Sequence, residues 1–270
     1  MATKADEKDM RNAATPERDV ESDDVVITQA RSYARSPIIS ILVGESQVEY
    51  TAHEAVLVAK CPFFEKCFNS GMAESHSGVV ELPEEDCETF DHFIEYIYGG
   101  KLNSYTGLDK DSDRVVNATM KDLALAEKFC MFDWHNLVID RLRKVWQEGY
   151  IAPSHVSWVV DHLSETSKLY QLAMAQLAYN TVFDIDNWLT SPGNEEENDH
   201  YRRDFDILCT KEGFPVSQFI WDMVKMQKHP KEDVPDPSHQ VCKFRVHSEG
   251  RICKKAKYPD KKRKREEHDH

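Results

Sequence analysis

One continuous stretch, Ser36–Leu102, constrains the fold of this 270-residue chain more than any other feature. It begins with the nearly apolar run Ile38–Val43, which is typical of a buried strand. After the turn Gly44–Ser46, apolar and polar residues alternate over residues 47–52, so the two segments predict a β-hairpin. A third short strand is predicted at Val79–Leu82. The stretch contains no set of nucleophile, base and orienting residue, and it therefore favours recognition over catalysis.

Helical patterns fill the rest of this stretch. Glu54–Lys60 predicts one short helix, and Pro62 opens a second, because proline is favoured at the first helical position. Asp86 is the predicted N-cap of a third helix, which Gly99-Gly100 ends. Apolar residues recur along this third helix at spacings of three and four, namely Phe90, Phe93, Ile94 and Ile97.

The remainder of the chain predicts helices and polar connections. A polar loop is expected over residues 103–117, followed by two helices, the second capped by Asp133. Further helices are expected from Pro153, over Lys168–Phe183, over residues 201–209 and over Val216–Gln227. The predicted fold class is α+β. The chain is predicted to begin with a disordered tail (1–35) and a first domain (36–147), which has a core over 37–103 and helices over 119–147. An all-helical C-terminal region (150–228) and a basic, mostly disordered tail (229–270) follow. Within the first tail, Val25–Ile27 could add a strand to a partner or to the core.

Composition disfavours some kinds of binding partner and some cell compartments. The net charge of −14 disfavours binding of the whole molecule to nucleic acid or to an anionic membrane. No run approaches the roughly 18 apolar residues of a membrane span, and the polar N-terminus predicts no secretory signal. The seven cysteines are scattered and odd in number, which favours reduced thiols over a disulfide framework.

The order of motifs between Ser36 and Leu102 resembles a BTB/POZ domain, of the kind found in fungal BTB proteins. The motifs are the hairpin ISILVGESQVEYTAH, the helix pair EAVLVAKCPFFEKCF, the segment NSGMAES, the strand and helix entry VVELPEEDCETF, and the end FIEYIYGGKL. The resemblance extends to about Trp146. It implies a small sheet wrapped by helices that binds other proteins, either a second copy or a ligase scaffold. Pro37 stands where many members have an acidic residue, which in some of them helps line a charged pocket at a dimer interface. Its absence here puts a standard homodimer in doubt.

Met72 and Glu74 match the hydrophobic-x-Glu pattern with which BTB adaptors engage cullin-3. In this interpretation an exposed apolar side chain enters a groove while the carboxylate meets a basic or N–H group, and such buried anchors dominate interface energies. The alternative is that Met72 only packs on its own domain. The helices from Pro153 to Phe183 could supply the extension that often follows such domains, or they could be a structural cap.

The C-terminal tail carries a run of basic residues in an otherwise acidic protein. Residues 251–265 contain nine lysine and arginine side chains and only one acidic one, Asp260. The run Lys261, Lys262, Arg263, Lys264 and Arg265 predicts a nuclear localisation signal for an import receptor, and Lys254-Lys255 could make it bipartite. The rival interpretations are a nucleic-acid-binding tail and a solubilising one. Only Tyr258 could stack on a base, so direct nucleic-acid binding is not favoured. The expected location is the nucleus, or nucleus and cytoplasm.

Three weaker patterns have alternative interpretations. The residues His239, Cys242, His247 and Cys253 are of types that suit tetrahedral zinc, although their spacing is not that of a common finger. The alternative is a structured tail segment that packs back on the helices. His53 is interpreted as a capping or packing residue, and the acidic run Glu84–Asp86 as a helix cap rather than an acid–base pair.

These observations predict a non-enzymatic protein-interaction module without an indicated cofactor. The leading hypothesis is an adaptor or scaffold that links an unknown substrate to a cullin-based ubiquitin ligase. The alternative is a nuclear transcriptional co-regulator that acts through BTB self-association or corepressor binding. A third class is a zinc-dependent nucleic-acid binder built on the tail.

Overall fold

The chain folds as a three-stranded sheet surrounded by helices, followed by further helices and a docked C-terminal segment. The computed structural model describes residues 33–71, 76–102, 113–184 and 195–247, without the side chains of residues 195–198. In chain order the elements are β1 Ile38–Val43, β2 Val48–His53, α1 Glu54–Lys60, α2 Pro62–Asn69, β3 Val79–Leu82, α3 Cys87–Gly99, α4 Asp113–Lys128, α5 Phe132–Glu148, α6 Pro153–His162, α7 Lys168–Phe183, α8 Glu195–Thr210 and α9 Val216–Gln227. Two 3-10 turns follow, Lys231–Asp233 and Pro237–His239.

The sheet has the order β2-β1-β3. β1 pairs antiparallel with β2 and parallel with β3, so Ile41 lies opposite both Tyr50 and Val80. Ile39, Ile41 and Val43 point to one face of β1 and are buried, as the period-two geometry of a strand requires. The predicted hairpin, the third strand and the α+β fold class are confirmed.

Aromatic side chains form the centre of the core, where α2, α3 and the junction between α4 and α5 meet. The ring of Phe129 stacks on Phe63 with centroids 4.8 Å apart and meets the edges of Phe64 and Phe93 at 5.6 and 5.2 Å. Trp134, at the start of α5, is fully buried beside Phe93. One apolar cluster continues from the sheet into the C-terminal helices.

The predicted ends of α3 are confirmed. The Asp86 carboxylate accepts the Thr89 N–H at 3.1 Å, which makes it the N-cap. Gly100 adopts a φ of 67° after the last turn, and its N–H donates to the Tyr96 carbonyl at 2.8 Å. A left-handed residue at this place favours glycine.

Two helix starts differ from the prediction. α4 already begins at Asp113, so the predicted loop over residues 103–117 is wrong for residues 113–117, whereas residues 103–112 lie outside the described ranges. Val115 and Val116 are buried with Met120 on one face of the helix, and this burial outweighs the polar residues around them. α5 is capped at Met131 and not at Asp133, which lies in the first turn, where a negative charge is still favourable.

A half-buried carboxylate connects the first domain to the C-terminal helices. Glu127 Oε1 on α4 accepts hydrogen bonds from Ser167 Oγ at 3.0 Å, the Lys168 N–H at 3.1 Å and His135 Nε2 at 3.2 Å. Burial alone would raise the pKa of Glu127, but the hydrogen bonds from His135 and Ser167 outweigh it and lower that pKa. An ionised Glu127 therefore fixes the start of α7 against α4 and α5.

The segment after α9 differs from the predicted disorder over residues 231–247. These residues form the two 3-10 turns and then an irregular stretch in which Phe244 is fully buried. The alternative interpretation, a structured tail that packs on the helices, describes this part of the chain. Residues 1–32 and 248–270 lie outside the described ranges, so disorder there stays a prediction.

The described residues include no helix that is both long enough and apolar enough to cross a membrane. None of the six cysteines among the described residues is joined in a disulfide.

Candidate functional site

His53 and Pro37 have structural roles at the base of the sheet. His53 Nδ1 lies 2.9 Å from the Tyr98 hydroxyl, and the His53 N–H donates to the same oxygen at 3.0 Å. The His53 ring therefore joins β2 to α3 and does not cap α1, so of the two predicted roles the packing role is the one observed. Ser36 provides the cap instead, since its Oγ accepts the Ala55 N–H at 2.8 Å. The Pro37 carbonyl accepts the Glu54 N–H at 2.9 Å.

The structure describes the residues on both sides of the predicted partner loop. Met72 and Glu74 lie outside the described residues, between the end of α2 at Asn69 and the start of β3 at Val79. Gly71 adopts a φ of 69°, which an L side chain disfavours, so the chain turns sharply as it leaves α2.

The predicted zinc ligands are only partly brought together. Cys242 Sγ lies 3.3 Å from His247 Nε2, whereas His239 Nδ1 lies 3.3 Å from an Asp236 carboxylate oxygen. Within the described part of the chain no three potential metal ligands cluster. Cys253 and the basic run Lys261, Lys262, Arg263, Lys264 and Arg265 fall outside the described ranges.

The acidic run before α3 is neutralised by lysines of α4. Lys128 Nζ contacts Glu85 at 2.5 Å and Glu84 at 3.5 Å, and Lys121 Nζ lies 3.3 Å from Asp86. These side chains line one wall of a cleft of about 600 Å³. Burial would raise the pKa of Asp86, but the Thr89 hydrogen bonds and Lys121 outweigh it and lower that pKa. The run behaves as a helix cap with counterions, as interpreted from the sequence.

One face of α9 exposes apolar side chains to solvent. Phe219 is buried under the helix, whereas Ile220, Trp221 and Val224 point outward, and Trp221 is 62% exposed. Ile207 on α8 is also exposed. Apolar patches that include a large aromatic residue are typical of protein-binding surfaces.

A polar stripe along α5 holds the C-terminal segment. We call it the α5 groove, and it consists of Asn136, Asp140, Arg143 and Gln147. Residues four, three and four positions apart lie on one face of a helix, so these four side chains form a continuous row. The segment they hold, residues 236–247, is here called the C-terminal clasp.

The α5 groove contacts both the backbone and one side chain of the clasp. Asn136 accepts the Val246 N–H at 2.9 Å and donates to the Val246 carbonyl at 2.8 Å. Arg143 and Gln147 donate to the Ser238 carbonyl, the latter at 2.8 Å.

The side-chain contact is an ion pair. Arg245 Nε donates to Asp140 Oδ1 at 3.0 Å, and Arg245 Nη2 donates to Asp140 Oδ2, a bidentate geometry. Asp140 Oδ1 also accepts from Arg143 Nη1 at 3.2 Å. The groove therefore provides a carboxylate, already oriented by one arginine, for a second arginine.

The α5 groove has no distinctive signature in the sequence. Its polar residues read as the solvated face of an amphipathic helix, because the opposite face carries Val138, Leu142 and Trp146, which are buried. The only available signal was that two of the four stripe residues are an oppositely charged pair three apart, Asp140 and Arg143. That pattern alone is common on exposed helices.

Comparison with known proteins identifies the first domain. A family model described as BTB/POZ domain matches residues 39–140. Kelch-like protein 3 of Danio rerio is 30% identical over 78 residues, which cover 29% of this chain and 13% of that protein. Kelch repeat and BTB domain-containing protein 7 of Homo sapiens is 33% identical over 54 residues, covering 20% of this chain and 8% of that protein. BTB/POZ domain-containing protein At2g30600 of Arabidopsis thaliana is 31% identical over 65 residues, covering 24% and 8%. This chain thus spans less than a fifth of these relatives, which are animal and plant proteins, so the fungal type stays a prediction.

Proposed function

Residues 39–140 form a BTB/POZ domain, a protein-interaction module, and from this premise we propose that the chain is a non-enzymatic adaptor or scaffold. The observation that carries the proposal is the domain itself, whose sheet and aromatic core come from the residues that the family model matches. The helices after it enlarge the same core rather than forming a separate unit.

An adaptor needs a second surface for its target. The exposed face of α9 supports this part of the proposal, because Ile220, Trp221 and Val224 offer apolar contact area outside the BTB/POZ domain. Large aromatic side chains of this kind contribute most of the energy in many interfaces.

The first partner we propose is cullin-3, through the loop that contains Met72 and Glu74. This loop follows α2 in the sequence, and it carries the apolar residue and the carboxylate that the BTB adaptor pattern requires. Met72 would enter an apolar pocket on the cullin, and Glu74 would accept a hydrogen bond or pair with a basic group.

We expect the double substitution Met72→Asp with Glu74→Lys to weaken binding of the purified cullin-3 amino-terminal region by about 100-fold. It introduces a charge at the apolar anchor and reverses the charge beside it, which together cost about 3 kcal/mol or more. A pull-down with the immobilised chain, followed by quantification of the retained cullin region, measures the effect.

The matched control is Val48→Asp with Glu45→Lys, which likewise replaces one apolar residue by aspartate and one glutamate by lysine, on exposed residues of the hairpin. This variant should retain the cullin region as the unaltered chain does. Equal retention by the loop variant and the unaltered chain would exclude the proposed loop, and retention by neither would exclude cullin-3 as the partner.

A nuclear co-regulator is the second candidate function, and the basic run Lys261–Arg265 is the observation that favours it. Five consecutive basic residues are the type of segment that an import receptor binds. The same chain could also be a nuclear adaptor, so location alone does not decide between the two functions.

Replacing Lys261–Arg265 by alanine should move a fluorescent fusion of the chain from the nucleus to the cytoplasm, with at least a several-fold drop in the nuclear-to-cytoplasmic intensity ratio. The control is Lys225→Ala with Lys228→Ala, which removes exposed lysines near the end of α9. An unchanged nuclear signal after the first substitution would refute the localisation signal.

A further inference from the structure

We propose that the α5 groove is a peptide-docking site that the chain's own C-terminal clasp occupies, and that a partner protein binds it with a segment in which an aromatic residue precedes an arginine. This inference rests on the proposed adaptor function for its biological meaning, since it names the chemistry of a target. The groove itself is tested without the cullin region.

The contacts of the clasp are those of a bound peptide. Asn136 forms paired hydrogen bonds with the backbone N–H and carbonyl of Val246, which any residue except proline could satisfy at that position. Gln147 and Arg143 likewise bind a backbone carbonyl, that of Ser238. These backbone contacts hold the segment, and specificity is left to individual side chains, as in other modes of peptide recognition.

Two side chains of the clasp provide that specificity. Phe244 is fully buried against the helices, and Arg245 forms the bidentate pair with Asp140. Adjacent residues thus supply an apolar anchor and a charged one. A partner segment that reproduced Phe244 and Arg245 would meet the same pocket and the same carboxylate.

The clasp is built to open locally. Between its two anchored ends, the side chains of His239, Cys242 and Lys243 are exposed. The described backbone–backbone hydrogen bonds within the clasp are local ones, from the N–H groups of His239, Gln240 and Val241 to carbonyls two or three residues earlier. A segment that is held by local turns and a few anchors can open without unfolding the helices beneath it.

Because the clasp is covalently attached, it competes with any partner segment for the α5 groove. A tethered segment has an effective concentration of about 1 mM, so a free partner must bind more tightly or arrive when the clasp is weakened. The groove is therefore closed in the isolated chain and becomes available when a partner segment displaces residues 236–247.

A charge-exchange experiment on the full chain tests the proposal. The probes are two fluorescent peptides of residues 236–247, both with Cys242→Ser to prevent oxidation, one otherwise unaltered and one with Arg245→Asp. The Arg245→Asp chain should release its clasp and bind the unaltered peptide at least about 30-fold more tightly than the Asp peptide, measured by fluorescence anisotropy. The unaltered chain should bind the unaltered peptide at least about tenfold more weakly than the Arg245→Asp chain does.

The Asp140→Arg chain should show the reverse preference and bind only the Asp peptide. The chain with both Asp140→Arg and Arg245→Asp has the ion pair restored with the charges exchanged. Its clasp should therefore occupy the groove, and the chain should bind neither peptide. Asn136→Ala in the Arg245→Asp chain should weaken binding of the unaltered peptide about tenfold, because the contacts of Asn136 with the peptide backbone are lost. Circular dichroism of each chain confirms that it is folded, and Arg245→Asp keeps the test valid if Asp140→Arg does not fold.

Binding of neither peptide by the folded Arg245→Asp chain would overturn the proposal, as would equal binding of both peptides by every chain. Light scattering supplies a further test. If the unaltered chain is a dimer that Arg245→Asp converts to a monomer, the groove holds the clasp of a second copy, and the docking of a different protein is overturned. None of these results depends on cullin-3, so failure here and failure of the proposed adaptor function are distinguishable.

Discussion

Replacing Phe129 by alanine is expected to destabilise the chain by about 4 kcal/mol, a large part of the stability of an ordinary domain. Phe129 is fully buried at the junction of α4 and α5, and its ring contacts Phe63, Phe64 and Phe93. The substitution would leave a cavity among three elements that can collapse only by moving helices. Urea unfolding monitored by circular dichroism measures the change in the free energy of unfolding.

Phe132→Ala is the matched control for this prediction. Phe132 lies three residues further along the chain, but its side chain is 43% exposed. We therefore expect Phe132→Ala to lower the free energy of unfolding by less than about 1 kcal/mol. Comparable losses from the two substitutions would contradict a core centred on Phe129.

Asp122→Ala is expected to cost about 3 kcal/mol at mildly acidic pH, because it breaks a buried ion pair between α3 and α4. Asp122 Oδ1 lies 2.9 Å from His92 Nδ1, and the Asp122 side chain is fully buried. The hydrogen bond to Asp122 raises the pKa of His92 above its ordinary 6.5, against the opposing effect of burial.

The pH dependence of this loss follows from the raised pKa of His92. A raised folded-state pKa gives stability that is fully present below the unfolded value of 6.5 and is lost as pH rises through the folded value. The difference between the unaltered chain and Asp122→Ala should therefore be largest near about pH 6 and smaller near about pH 9. His155, whose pKa burial lowers, is the same in both proteins, so its contribution cancels in the difference.

Urea unfolding of both proteins at the two pH values measures this dependence. Asp199→Asn, on an exposed residue of α8, is the control and should change stability little at either pH. A loss that is equal at both pH values, or larger at the higher one, would contradict a charged His92–Asp122 pair.

Local patterns were sufficient to predict the sheet and the ends of α3. The apolar run of β1, the alternation of β2, the Asp86 cap and Gly100 each depend on residues that are neighbours in the chain. Such signals are readable from sequence because the turn, cap or strand is satisfied within a few residues. The missed start of α4 has the opposite cause, since Val115 and Val116 are helical because of what they pack against.

The α5 groove could not be predicted because it joins residues about 100 positions apart. Nothing near Asn136 or Asp140 indicates that Val246 and Arg245 will meet them. The composition of the clasp, rich in charged and polar residues, resembles a disordered tail until Phe244 finds its buried site. Long-range docking by a few anchors is therefore the part of this structure that sequence patterns describe least well.

The three proposed surfaces divide the adaptor's contacts. The BTB/POZ domain would bind a scaffold at the loop after α2, whereas the exposed face of α9 and the α5 groove would contact a target, which displaces the clasp from the groove. The mutations above separate the surfaces from the core, since Phe129→Ala acts on stability and the loop and groove variants act on binding.

Isothermal titration of the purified cullin-3 amino-terminal region into the intact chain tests the central claim most directly. The adaptor account predicts saturable binding, with one cullin region per chain and a dissociation constant of about 1 μM or lower. The Met72→Asp, Glu74→Lys variant should bind at least about 100-fold more weakly under the same conditions. A folded chain that gives no binding heat with about 100 μM of the cullin region would contradict the account.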